Sequence, residues 1–213
     1  MRPYVVKQGD YLRRLAHERG FQPDVVWEHA ANKDLRERRD NPEILAPGDI
    51  LYVPAPDALA HPIEPASVNR YRAKRERAPV NLKLMNGAAP LANARCRVIG
   101  AAAAPIDAST DGDGMLSLEA PLHVPSLRLE FADAGLTFTV KLGHIDPITE
   151  VSGVRQRLTN LGFAGLDGDD FDDGWDDPRV IYSLKVFQRE QGLDVTGEMS
   201  DATRDALRRL HGA

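Results

Sequence analysis

The sequence predicts an α+β multidomain protein of three small folded units: a βααβ unit over residues 1–55, a small antiparallel β-sandwich over 80–146 and a three-helix bundle over 147–213. Three observations carry this expectation. Apolar residues recur at helical spacing near both ends of the chain, and they alternate with polar ones through the middle. A proline-rich basic stretch over 56–79 has neither period and reads as a linker. At 213 residues the chain exceeds one minimal domain, and each unit can bury only a modest core.

In the first unit, Val5 and Val6 form a short apolar strand after Tyr4. The following Gly-Asp pair supplies a turn, with Asp10 placed to cap a helix from Tyr11 to Arg19 whose Leu12, Leu15 and Ala16 share one face. Pro23 and Asp24 open a second helix with Val25, Val26 and Trp27 inward, running into the charged NKDLRERRD. The stretch NPEILAPGDILYVP then reads as turns followed by a strand that Pro54 ends. This order and Tyr4, Val6, Gly9, Asp10, Leu12, Leu15, Ala16, Asn32, Leu45, Gly48, Asp49, Leu51, Val53 and Pro54 together resemble a LysM domain. The chain departs from that pattern at Tyr11, where Thr or Ser is usual, and by an insertion between Asn32 and Leu45. The resemblance implies a groove for glycans containing N-acetylglucosamine, formed by Gly9, Asp10, Tyr11, Leu12, Ile44 and Leu45.

The middle unit follows from period-two stretches punctuated by turn residues. VNLKLMNGAAPL ends a strand at an Asn-Gly turn, ARCRVIG alternates, STDGDGMLSLEA holds a tight acidic-glycine turn, and SLRLEFADAGLTFTVKL reads as a hairpin turning at Asp133 to Gly135. Several short strands over so few residues argue for a sandwich. The Thr110–Gly114 turn resembles hairpins of carboxypeptidase-regulatory-like and other prealbumin-type modules.

The last unit is helical. Val151, Val154, Leu158 and Leu161 fall on one face of a first helix, and Val180, Ile181, Leu184, Phe187 and Gln188 on one face of a second. Ser200 caps a third. Val154, Leu158, Leu161, Gly162, Phe187, Gln188, Gly192, Leu193, Gly197, Thr203 and Leu207 resemble the pattern of the peptidoglycan-binding domain found on wall hydrolases. Most of these are core, turn or cap residues, so they identify a fold better than they locate a ligand. Phe163, Trp175, Arg179 and Tyr182, near the first connection, are the candidates for wall or partner binding.

Composition excludes several classes of function. Net charge is −5 with a single short basic run, RYRAKRER, which reads as a solvated tether, so nucleic acid is not an expected partner. The longest apolar stretch, VIGAAAAPI, is far short of a membrane span, and no membrane partner is expected. The N-terminus has Arg2 but no apolar signal core, so synthesis is expected to end in the cytoplasm.

No catalytic residues, metal ligands or cofactors are expected. The single cysteine, Cys96, superficially resembles the nucleophile of L,D-transpeptidases in NARCRVIG. It lacks that family's preceding His and Gly, and on a strand it points inward with Val98. DASTDGDGMLSLE imitates a calcium loop but has Leu118 where the bidentate Glu belongs, and reads as a β-turn. The acidic run DGDDFDDGWDD over 167–177 has no complete ligand spacing and reads as a solvated loop. His17, His29, His61, His123, His144 and His211 lack metal spacing and read as surface or linker residues.

The expected function is therefore non-catalytic recognition of peptidoglycan. The arrangement of units also resembles proteins that accompany the spikes and toxins of type VI and other contractile injection systems. That resemblance implies delivery to a periplasm or target cell without a signal peptide. It also admits a protein-docking adaptor or chaperone for a spike or toxin that reuses wall-binding folds. A third reading is the targeting part of a phage lysin system.

Overall fold

The computed structural model describes residues 1–55, 65, 67–68, 76–86, 89–163 and 174–212. Most of the expected linker, His61, the centre of the Asn-Gly turn and most of the acidic run lie outside the described residues. The fold is mixed α and β, with six α-helices and several small antiparallel sheets among the described residues. The chain divides into two compact units: residues 1–43 with 48–144, and residues 44–47 with 145–213.

The first unit begins with β1 (Arg2–Val5), followed by α1 (Leu12–Arg19), α2 (Pro23–Trp27), a 3-10 turn (Ala30–Asn32) and α3 (Lys33–Arg38). β2 (Ile50–Val53) then pairs antiparallel with β1, Tyr4 opposite Leu51. Asp10 does not cap α1. The residue before the helix is Tyr11, with no side-chain cap, and the Asp10 carboxylate instead accepts from the Tyr4 hydroxyl at 2.6 Å and the Lys7 amide at 2.9 Å. The expected second helix is broken into α2 and α3, and of its apolar pair Val26 is buried while Val25 is exposed. Successive helical residues point about 100° apart, so a single short turn cannot turn both inward.

Asn32, fully buried, joins these pieces. Its Nδ2 donates to the carbonyls of Val26 at 2.7 Å and Tyr52 at 2.9 Å, and its Oδ1 accepts from the Tyr52 amide at 2.7 Å. The buried Asp49 carboxylate takes a forked pair from Arg39, with Nε at 2.8 Å and Nη2 at 3.0 Å.

The remainder of this unit is built from β3 (Arg77–Lys83), β4 (Met85–Asn86), β5 (Ala89–Pro90), β6 (Arg95–Ile99), β7 (Ile106–Ser109), β8 (Met115–Pro121), β9 (Ser126–Phe131) and β10 (Leu136–Lys141). β3 thus begins inside the segment read as linker. The sheet order is β10-β9-β6-β7, with β3 paired to β8 and β4 to β5. Leu116 of β8 shares a core with Val98, Leu127, Leu129 and Phe131, and Val80 and Leu82 of β3 pack against it.

The Thr110–Gly114 turn is not a hairpin: β7 pairs with β6 and β8 with β3, so it carries the chain from one sheet to the other. Asp111 Oδ1 accepts from the amides of Asp113 at 2.9 Å and Met115 at 2.8 Å, which holds that corner. Cys96 is buried as its strand alternation predicts, and burial pushes its thiol pKa up.

The second unit contains α4 (Val151–Asn160), α5 (Pro178–Glu190) and α6 (Asp201–His211). Val154, Leu158, Val180, Leu184, Phe187 and Leu207 are fully buried in its core. Asp177 and Ser200 cap α5 and α6, each accepting a backbone amide. Arg157 is buried as well, its Nη1 donating to the carbonyls of Asp146 at 2.7 Å and Gly153 at 2.8 Å. Desolvation lowers its pKa to about 10.

Gly153 is required by close approach. A methyl group there would lie 2.1 Å from the Pro147 carbonyl oxygen and 2.6 Å from that of Asp146. His211, expected at the surface, is instead half-buried at the end of α6, its Nε2 3.0 Å from Asn160 Nδ2 and its Nδ1 buried without a partner. Burial, and secondarily the Arg157 charge, lower its pKa to about 4.

Two outcomes follow for stability. Gly153→Ala should destabilise the second unit by about 2–4 kcal/mol, because backbone rather than a movable side chain fills the space; urea denaturation measures this. Between the ordinary histidine value of 6.5 and about 4, the unfolded chain takes up a proton that folded His211 refuses. The His211 contribution is therefore complete above that window and is lost as pH falls through it. Melting curves at about pH 7.5 and about pH 4.5 should converge partly in His211→Gln relative to the parent.

Candidate functional site

A cleft of about 630 Å³ opens on the second unit, lined by Ile148, Thr149, Trp175, Asp176, Ile181, Thr196, Gly197, Glu198, Met199 and Arg204. Its walls come from three places in the chain. Ile148 and Thr149 precede α4, Trp175 and Asp176 precede the cap of α5, and the 196–199 loop links α5 to α6.

That loop is fixed from behind by Gln188, which is fully buried. The Gln188 Nε2 donates to the Glu198 carbonyl at 2.8 Å and to Thr203 Oγ1 at 3.0 Å, while its Oε1 accepts from the Gly197 amide at 2.8 Å. A buried amide so completely engaged resists rotation, and the loop backbone is held with it. Gly197 has a positive φ of 80°, and a methyl there would meet Ile181 Cγ2 at 2.7 Å and Lys185 Cε at 2.9 Å. Glycine therefore lets the loop lie directly on α5.

The cleft combines apolar surface with charge. Trp175 is 43% exposed, a large aromatic face presented to solvent. Arg204 is engaged by the Asp201 carboxylate. The carboxylates of Asp176 and Glu198 have no ion-pair partner among the described residues, and both residues are exposed.

Of the candidates in this unit, only Trp175 lines the cleft. Phe163 is half-buried and packs against the core, its ring meeting that of Phe187 edge-on with centroids 5.1 Å apart, and it does not line the cleft. Arg179 forms an ion pair with Asp177 at 2.9 Å, and Tyr182, 67% exposed, lies one helical turn along α5; neither lines the cleft. Ile148, Thr149 and the 196–199 loop were not anticipated from sequence. Of that loop the sequence singles out only Gly197, as part of the family pattern.

The groove expected at the N-terminus has a different character. Leu12 and Leu45 are buried, 1% and 4% exposed, so neither presents a side chain to a sugar face. Asp10 is occupied by Tyr4 and Lys7. Within the first unit, Gln8 Nε2 donates to the His144 carbonyl at 3.2 Å, the His144 ring lies over Gly9, and Gly143 lies so close to Tyr11 that a methyl group would meet the ring at 2.6 Å. The turn carrying Gly9 and Tyr11 is thus packed against residues 143–144. Ile44, like Leu45, belongs to the other compact unit.

Residues 148–207 match a family model described as "Putative peptidoglycan binding domain", a span that contains α4, α5 and most of α6. No significant match was found among curated proteins or among solved structures.

The division between surface and core aromatics is measurable. Trp175→Ala should change stability by less than about 1 kcal/mol, whereas Phe163→Ala, which opens a hole beside Phe187, should cost about 2–4 kcal/mol in chemical denaturation.

Proposed function

We propose that this chain is a non-catalytic, modular protein that recognises peptidoglycan through its C-terminal unit. The observation that carries the reading is the peptidoglycan-binding family match over 148–207, on a unit that presents Trp175 at the mouth of a cleft. Aromatic and aliphatic surface interrupted by a few polar groups is the usual construction of a small-ligand site. The non-catalytic part of the reading is supported by Cys96, whose burial and raised pKa are the reverse of what a nucleophilic thiol needs.

A LysM-like contact by the N-terminal unit with N-acetylglucosamine-containing glycan would add a second weak site, and two weak sites on one chain gain from effective concentration. A specific observation favours a different role for that unit. Its β1–α1 turn is covered by residues 143–144, while Pro3, Val5, Ile50 and Tyr52 are exposed on the β1–β2 ribbon. That arrangement suits a protein-docking adaptor for a spike or toxin of a contractile injection system. On this reading the chain is loaded in the cytoplasm and meets a wall after delivery.

Co-sedimentation with purified sacculi tests the proposal. The full chain should pellet with sacculi, and Trp175→Ala should weaken this by about tenfold, the value of one lost aromatic contact. Failure of the parent protein to pellet would sink peptidoglycan recognition. Undiminished pelleting of the Trp175 variant would remove the cleft from it.

A further inference from the structure

Peptidoglycan offers two chemistries to a binding site: neutral glycan, and short peptides that carry free amines and carboxylates. Resting on the peptidoglycan reading above, we infer that the cleft of the second unit takes the peptide, and specifically a side-chain amine of it, between Trp175, Asp176 and Glu198. Three features of the cleft converge on a cation. Trp175 is exposed at 43%, and the face of an indole is the best aromatic surface for an ammonium group. Asp176 and Glu198 line the same space without an ion-pair partner among the described residues. The one arginine of the lining, Arg204, pairs through Nη1 with Asp201 and forms no ion pair with either of those carboxylates among the described residues.

The surrounding chain reinforces this. In residues 148–213 thirteen acidic residues face eight Lys and Arg, so the unit repels anions and attracts cations at long range. A neutral sugar would gain only hydrogen bonds to the two carboxylates, whereas an ammonium would gain charge attraction to both and to the face of the indole as well. Ile181 and Met199, both half-buried, supply apolar surface for the methylene stem that carries such an amine. The 196–199 loop is held rigid by Gln188, so Glu198 is presented without an ordering penalty in the backbone.

The test uses the full chain and three soluble probes, titrated calorimetrically: N-acetyl-L-alanyl-γ-D-glutamyl-L-lysyl-D-alanine, the same peptide with the lysine amine acetylated, and an N-acetylglucosamine tetrasaccharide. The free-amine peptide should bind at least about tenfold more tightly than its acetylated form, and the tetrasaccharide more weakly than either. Asp176→Asn combined with Glu198→Gln should abolish the discrimination between the two peptides; neither substitution touches the Asp177 cap or the backbone bonds of Glu198. Equal binding of the two peptides, or preference for the tetrasaccharide, overturns the inference. Sacculi whose free amines have been acetylated separate it from the parent reading. If they pellet the protein as well as untreated sacculi do, amine recognition is wrong and peptidoglycan binding stands. If untreated sacculi fail to pellet it, both fall.

Discussion

A primary amide buried away from water must find protein partners for both its carbonyl and its NH2, and in each compact unit one such amide sets the arrangement of everything around it. In the first unit Asn32 bonds both the amide and the carbonyl of Tyr52 in β2 and the carbonyl of Val26 in α2. In the second, Gln188 reaches the backbone at Gly197 and Glu198 and the hydroxyl of Thr203. Neither residue could be replaced by an apolar one without stranding several partners, each of which would then carry its own desolvation penalty. The apolar cores supply most of the driving force, but they are indifferent to small slides of one element past another; the amides are not.

This explains how the family pattern and the cleft are related. Of the residues that carry the resemblance only Gly197 lines the cleft, while Phe187, Gln188, Thr203 and Leu207 are buried. They build the wall on which Glu198 and Met199 stand. Trp175 and Asp176, which line the cleft, sit outside that pattern in the connection that leads into α5. Trp175 and Asp176 are therefore distinct from the side chains that pack α4, α5 and α6 together.

The helices of the second unit were legible because their signal is local. Val154, Leu158, Val180, Leu184 and Phe187 fall at helical spacing, and Ser200 stands where a cap is needed. The alternation around Cys96 was legible for the same reason. What escaped depended on residues distant in sequence. Asp10 reads as a helix cap until Tyr4 is seen to reach it. Arg157 reads as surface because charge is costly to bury, and the buried carbonyls of Asp146 and Gly153 that accept from it help make its burial tolerable. His211 hides for a similar reason. The Thr110–Gly114 turn looks like any hairpin, since nothing local says that its two flanking strands have different partners. The cleft itself joins Ile148, Trp175 and Met199, and no periodicity relates them.

The pairing of β3 with β8 has a consequence for how the protein comes into being. Arg77 opposes Pro121 and Lys83 opposes Met115, while β4, β5, β6 and β7 all lie between them in the chain. As a nascent chain emerges, β3 must therefore wait, unpaired and with Val80 and Leu82 uncovered, until the whole of that intervening segment and β8 have been synthesised. Closing so long a loop late is slow, and an unpaired strand is an invitation to a neighbour's. Arg77, Asn81 and Lys83, alternating with the apolar residues along β3, keep the waiting strand charged and polar on its other face, which gives it a period of grace during synthesis that an all-apolar strand would lack.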